Sequence, residues 1–174
     1  MHHVTSLTEY CQHTGVSGPR QPHFDLRRFE DVMGSVHLHQ PPFTHDLYVV
    51  SLLGSGTSRE LNGQPLATNL FFNVPGQVIS WDIAPDWRGW YLVFDAEFAR
   101  QLPSGGIAQH EFAFLRDQAP VPFSVSEAET RELADLYSLL HTVWDAEPTS
   151  NLLPAYVDTL LLHVRRHFRA YVIE

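Results

Sequence analysis

Phe43-Thr44-His45-Asp46-Leu47-Tyr48, Gly54-Ser55-Gly56, Asn62-Gly63, Phe71-Phe72-Asn73-Val74-Pro75-Gly76-Gln77, Trp81 and Trp90-Tyr91-Leu92-Val93-Phe94 follow one another within residues 43–94. The runs 36–39, 47–53, 57–61, 69–74, 78–83 and 90–94 are rich in β-branched and aromatic residues. Gly, Pro, Asn and Asp separate them, so they read as short strands. Asn62-Gly63 is the strongest turn signal, because both central positions of a type I′ hairpin need φ > 0. Strands at this spacing, with no helix between them, point to a sandwich or barrel rather than an α/β sheet.

On either side of this stretch the character changes. Residues 1–23 are polar and turn-rich (Gly15, Gly18, Pro19, Pro22) and read as an N-terminal arm with little regular structure. At the other end, Ser126-Glu127-Ala128-Glu129 has the form of a capping box, in which the Ser hydroxyl accepts the N–H three residues on. Leu133, Leu136, Tyr137, Leu140 and Trp144 follow at helical spacing, and Glu147-Pro148-Thr149-Ser150 ends that helix. A second helix begins near Asn151 and carries Pro154 in its first turn, where the missing N–H has no partner to lose. Two such helices joined by a short loop predict an antiparallel hairpin. The expected division is an arm over 1–23, a β region over 24–124 and a helical hairpin over 125–174.

Composition narrows the chemistry. With 174 residues, 44% of them hydrophobic and 18% charged, the chain suits one globular domain. All eleven basic residues are arginine. The absence of lysine removes Schiff-base chemistry and a Walker-type phosphate loop. A net charge of −9 argues against this segment gripping nucleic acid by itself. Cys11 is the single cysteine, which leaves no disulfide framework and no cysteine zinc cluster. Met1-His2-His3-Val4-Thr5 carries no apolar signal core, so the cytoplasm is the expected location.

Cupin metalloenzymes hold a metal through a His-x-His pair, a following Glu and a later His beyond a Pro/Gly turn, a donor set that suits Fe, Mn, Ni or Zn. Set against that arrangement, this chain has Phe43 and His45 at the pair, Val49 near the Glu position and Ile79 past Pro75-Gly76-Gln77-Val78. One ligand in four does not hold a metal, so neither metal nor other cofactor is expected. His37, His39 and His45 remain as a shifted trio, and three ligands suffice for a catalytic zinc. That trio is the basis of the alternative reading, a stand-alone metal-dependent cupin enzyme. No Gly-x-Ser-x-Gly elbow or His-Glu-x-x-His motif is present.

The aromatic residues in or beside the strands carry the other expectation. Tyr48, Phe72, Trp81, Trp87, Trp90, Tyr91 and Phe94 alternate in and out, and a small roll with several inward rings either fills itself or encloses one small ligand. His37, His39, Tyr48, Trp81 and Trp90 are the expected ligand-binding wall, chosen by strand position and chemistry. Arg165, Arg166 and Arg169 sit toward the end of the last helix, where positive charge offsets the helix dipole.

The order of these features resembles the N-terminal sensor domain of the arabinose-operon regulator (AraC-type) transcription factors. His45-Asp46-Leu47-Tyr48, Gly54-Ser55-Gly56, Asn62-Gly63, Phe71 through Gln77 with Trp81, and Tyr91 through Phe94 followed by Phe98 and Leu102 carry the resemblance, which spans roughly residues 24–172. It implies a mainly β fold with C-terminal helices: a cupin-like jelly-roll β-barrel followed by an antiparallel helical hairpin. It also implies a non-catalytic, small-molecule-sensing and dimerisation domain of a cytoplasmic transcription regulator. The effector is of unspecified class, and DNA is contacted only through a helix-turn-helix unit expected beyond Glu174. The dimer seam is expected at Leu153, Val157, Leu160, Leu161, Val164 and Phe168. Ile79 departs from the family, which usually has histidine there.

Overall fold

The computed structural model describes residues 1–54, 60–61, 64–65, 70–105 and 125–173, with the backbone alone for Glu60, Leu61, Gln64, Pro65 and residues 167–173. The strands are β1 (His3–Val4), β2 (Phe24–Arg28), β3 (His39–His45), β4 (Tyr48–Leu53), β5 (Glu60–Leu61), β6 (Gln64–Pro65), β7 (Leu70–Asn73), β8 (Val78–Asp82) and β9 (Gly89–Phe94). The helices are α1 (Leu7–Thr14), α2 (Phe29–Val32), α3 (Ala96–Ala99), α4 (Glu127–Ala146) and α5 (Leu152–Ile173). Two sheets form, in the orders β1-β3-β8-β5-β6 (sheet I) and β2-β9-β4-β7 (sheet II). Among the described residues the ladders are antiparallel except β1–β3, and no ladder joins the two sheets into a closed barrel.

Sheet II is the middle layer of the molecule. Its β4, Tyr48-Val49-Val50-Ser51-Leu52-Leu53, is buried at every position, so both of its faces are covered. Alternation sends Tyr48, Val50 and Leu52 toward the C-terminal helices and Val49 and Leu53 toward sheet I. Two separate cores result. On the helix side, Phe24, Leu26, Phe72, Leu92 and Phe94 pack with Leu133, Tyr137, Leu140 and Trp144 of α4 and with α5. Each such fully buried side chain contributes roughly 1.5–3 kcal/mol relative to exposure. The Tyr137 hydroxyl donates to Val50 O at 2.6 Å, pinning α4 to the central strand. On the other side, Val49, Leu53, Phe71 and Val93 meet Phe43, Ile79 and Leu7.

The capping box is realised, with Ser126 Oγ accepting from Glu129 N at 3.1 Å. Pro154 stands in the first turn of α5 as expected. Glu132, early in α4, accepts from Arg166, late in α5, at 3.1 Å, so the two helices run antiparallel. Leu61 pairs with Gln64, the register a two-residue hairpin demands, although Asn62-Gly63 and Ser55-Gly56 lie outside the described residues. Gly89 has a φ of 118°, and a Cβ there would collide with Leu52 O, so β9 must begin on glycine to approach β4.

Three expectations need correction. The segment 1–23 is not devoid of regular structure: it contains β1, paired in parallel with Thr44 and His45, and the two-turn helix α1. Ser6 Oγ caps α1 by accepting from Glu9 N at 3.1 Å, and Gly15 closes it at φ 89° with its N–H on Cys11 O. The strand expected over 36–39 instead runs from His39 to His45, through Pro41-Pro42. The two prolines bring no N–H groups, and the register against β8 shifts between Gln40 and Phe43, which marks a bulge. Finally, β2 was not expected at all, although Phe24 and Leu26 are nearly inaccessible in the helix-side core.

Candidate functional site

Between the two sheets lies a cavity of about 650 Å³ of non-protein space, its mouth included. Sheet II supplies Val49, Ser51, Phe71, Asn73 and Tyr91, all on the face opposite Tyr48 and Val50. Facing them are Ile79 and Trp81 of β8, with Ile83 and Trp87 from the turn that follows. The N-terminal elements complete the enclosure: Tyr10 and Thr14 from α1, Phe29 and Val32 from α2, and Met33 and Val36 just beyond. The rings meet at steep angles, with Phe29 edge-on to Trp87 at 5.4 Å between centroids and Phe71 on Trp87 at 6.5 Å. Such edge-to-face contacts join the three rings into one continuous aromatic wall.

Polar groups here are few. Trp81 Nε1 donates to His37 O at 2.8 Å, and Thr14 Oγ1 donates to Tyr10 O at 2.8 Å, so both are already satisfied. Trp87 Nε1 is buried and has no hydrogen-bond partner. Ser51 and Asn73 bring further neutral polar groups to the wall. Asp25 and Arg27 share the inner face of sheet II with Tyr91 and compensate one another, Arg27 Nε donating to Asp25 Oδ2 at 2.7 Å. Burial pushes the Asp25 carboxyl up, against the pull of Arg27. Burial also pushes the Cys11 thiol up to about 11 and raises the Tyr10 and Tyr91 phenols. At neutral pH the described walls therefore present neither thiolate nor phenolate, and none of the described lining residues is an acid, an arginine or a histidine.

The expected wall residues separate. Trp81 lines the cavity. Tyr48 and Trp90 do not: Tyr48 stacks on Phe94 at 5.0 Å and Trp90 on Tyr137 at 5.9 Å, both on the helix side of sheet II. His37 supports the wall through its carbonyl, while His39 projects outward beside Asp82 with its side chain 75% exposed. His45 is fully buried in the core on the sheet I side, its Nδ1 accepting from Leu47 N at 3.0 Å. Among the described residues no three His, Cys, Asp or Glu side chains come together to hold a metal, so His37, His39 and His45 are not brought into one group.

No family model matches the chain, and no curated protein matches it significantly.

The hairpin residues sort differently from expectation too. Leu153, Val157, Leu160, Leu161 and Val164 are at most 1% exposed within the single chain, where they pack against sheet II and α4. The protomer's own core occupies the surface expected to form a dimer seam. The Phe168 side chain lies outside the described residues. Arg166 is held by Glu132 and His163 rather than left free.

The sequence places an arm over 1–23 that, by the family resemblance, responds to an effector, but not the helix α1 within it that lines the cavity. The available signal was the Ser6-to-Glu9 cap spacing followed by Leu7, Tyr10, Cys11 and Thr14, the buried face of α1. The segment that follows, residues 16–23, is strapped across the molecule. Arg27 donates to Ser17 O and Gly18 O, Arg20 to Trp144 O at 3.1 Å, and Gln21 to Pro148 O at 2.8 Å. One short segment thus runs from the roof of the cavity to the α4–α5 turn.

Proposed function

We propose that this chain is a non-catalytic, small-molecule-sensing and dimerising domain of a transcription regulator of the AraC type, its two sheets forming a cupin-like jelly roll. The observation that carries the reading is the aromatic-walled cavity between the sheets, roofed by Tyr10 and Thr14 of α1. A concave, mostly apolar lining with a few polar groups is the usual make-up of a small-molecule site. The strap from α1 through Arg20 and Gln21 to the α4–α5 turn supports the second half of the reading. An effector that binds better to one placement of α1 biases the hairpin, and through it whatever the hairpin carries. With Leu153, Val157, Leu160, Leu161 and Val164 buried inside the protomer, a homodimer uses the outer face of the hairpin, where Leu139 is 49% exposed beside Leu136 and Val143.

The test is a thermal-shift screen of the protein against its Ser51→Leu variant, whose added side chain fills the cavity. A true effector at a hundredfold excess over Kd adds about 2.7 kcal/mol of stability and raises Tm by about 5 °C or more in the parent only. Effectors that stabilise both proteins equally bind elsewhere and refute the site. Light scattering on Leu139→Glu checks the dimer face, which is refuted if the variant keeps the parent's mass.

A further inference from the structure

We infer that the cavity takes an uncharged, flat aromatic compound bearing a hydrogen-bond acceptor such as a ring carbonyl, and rejects carboxylates, ammonium compounds and sugars. The inference rests on reading the cavity as an effector site and names the ligand class for that site.

The described walls disfavour charge. The described lining residues offer no ionised partner, and Asp25 and Arg27 behind Tyr91 already neutralise each other. Arg27 Nη1 donates to Ser17 Oγ, and Nη2 donates to Ser17 O and Gly18 O. A charged ligand entering this enclosure loses its water and gains no counter-charge, a cost that makes charged groups rare in apolar sites. Sugars are disfavoured for a related reason. A sugar brings a hydroxyl at nearly every carbon, while Trp81 Nε1 and Thr14 Oγ1 are already bonded within the protein. Ser51, Asn73 and Trp87 are too few to satisfy a ring of hydroxyls buried against Phe29, Phe71, Val49 and Ile79.

An aromatic ligand is favoured because Phe29, Phe71, Trp81, Trp87 and Tyr91 all line the cavity, and a planar ring can pack against their exposed faces and edges. The acceptor follows from Trp87. Its indole lines the cavity, its Nε1 can only donate, and among the described residues that buried donor has no partner. An unsatisfied buried donor is costly, so a ligand that brings an acceptor is favoured over a bare hydrocarbon.

Four probes measured by titration calorimetry test this: coumarin, naphthalene, coumarin-3-carboxylate and arabinose. Coumarin and naphthalene share shape and differ in the acceptor; the carboxylate adds only charge. The expected order has coumarin about tenfold tighter than naphthalene, with the carboxylate at least about a hundredfold weaker than coumarin and arabinose not binding. Trp87→Phe keeps a ring and removes the donor, so coumarin weakens about tenfold while naphthalene is unchanged. Ser51→Leu abolishes binding of both. If arabinose or the carboxylate binds as well as coumarin, and Ser51→Leu blocks it, the ligand class is wrong and the site stands. If coumarin and naphthalene bind equally, or Trp87→Phe weakens both alike, the acceptor argument fails. If no probe binds, or Ser51→Leu changes nothing, both the class and the site are overturned.

Discussion

Acid should unfold this protein earlier than its carboxylates alone require, because of His45. The ring is 0% exposed, with Phe43 at 6.3 Å between centroids, and Leu47 N donates to its Nδ1. That hydrogen bond needs Nδ1 unprotonated, and Nε2 finds no acceptor among the described residues. Burial takes the ring from the ordinary 6.5 down to about 4, the Asp46 carboxylate opposing and His3 assisting. Since the folded pKa is depressed, the contribution to stability is complete above 6.5 and is lost as pH falls toward 4, where the unfolded chain binds a proton that the folded chain refuses. Each unit of that window is worth 1.36 kcal/mol, so about 3 kcal/mol disappears in all and about 2 kcal/mol by pH 5. Urea unfolding at pH 7.5 and pH 5 measures it, in the parent and in His45→Gln, whose amide oxygen can still accept from Leu47. The remaining groups, including His13, titrate alike in both proteins and cancel. The parent should lose about 2 kcal/mol more than the variant across this interval. Parallel losses in the two proteins would falsify the account of His45 as a buried neutral ring.

Three further outcomes follow from the packing. Tyr137→Phe removes the donor to Val50 O without changing the ring, and should cost about 1–2 kcal/mol in urea unfolding with an unchanged m-value; a neutral result would mean that the bond contributes nothing. Leu161→Arg places a charge in a fully buried site and should abolish the cooperative unfolding transition, a loss above about 4 kcal/mol; a folded monomer would instead place Leu161 at a subunit seam. Arg27→Ala releases Ser17 and Gly18 and leaves Asp25 buried without its cation, so trypsin should cut at Arg20 several-fold faster and stability should fall by about 3 kcal/mol. Unchanged cleavage would show that the strap does not depend on Arg27.

What could be read from the sequence was what is decided locally. Ser126 announces α4 because a cap is settled within four residues, and Pro154 marks the first turn of α5 for the same reason. β4, β7, β8 and β9 were each placed within about two residues, since β-branched and aromatic runs between turn residues admit few other conformations. β3 was misplaced because Pro41-Pro42 argues against a strand until a bulge absorbs them. Facing direction was harder. β4 is buried on both sides, so no polar residue marks which alternate set meets the cavity; Tyr48 was assigned to the wall that Val49 and Ser51 occupy. The apolar stripe of α5 showed that Leu153, Val157 and Leu160 are covered, but not that sheet II is what covers them. The roof of the cavity comes from residues far away in the chain, which no local pattern reports.

Sheet II, with a core on each side, has a consequence for how the protein opens. Its amides in β4 and β9 should exchange with solvent only when the whole molecule unfolds. The sheet I side, closed by the short α1 and a two-residue parallel strand, can melt by itself at lower cost. The chain is therefore built as two cooperative units with a common wall. One should loosen while the other keeps its packing, and the Arg20–Gln21 strap around the edge ties the first unit to the α4–α5 turn of the second.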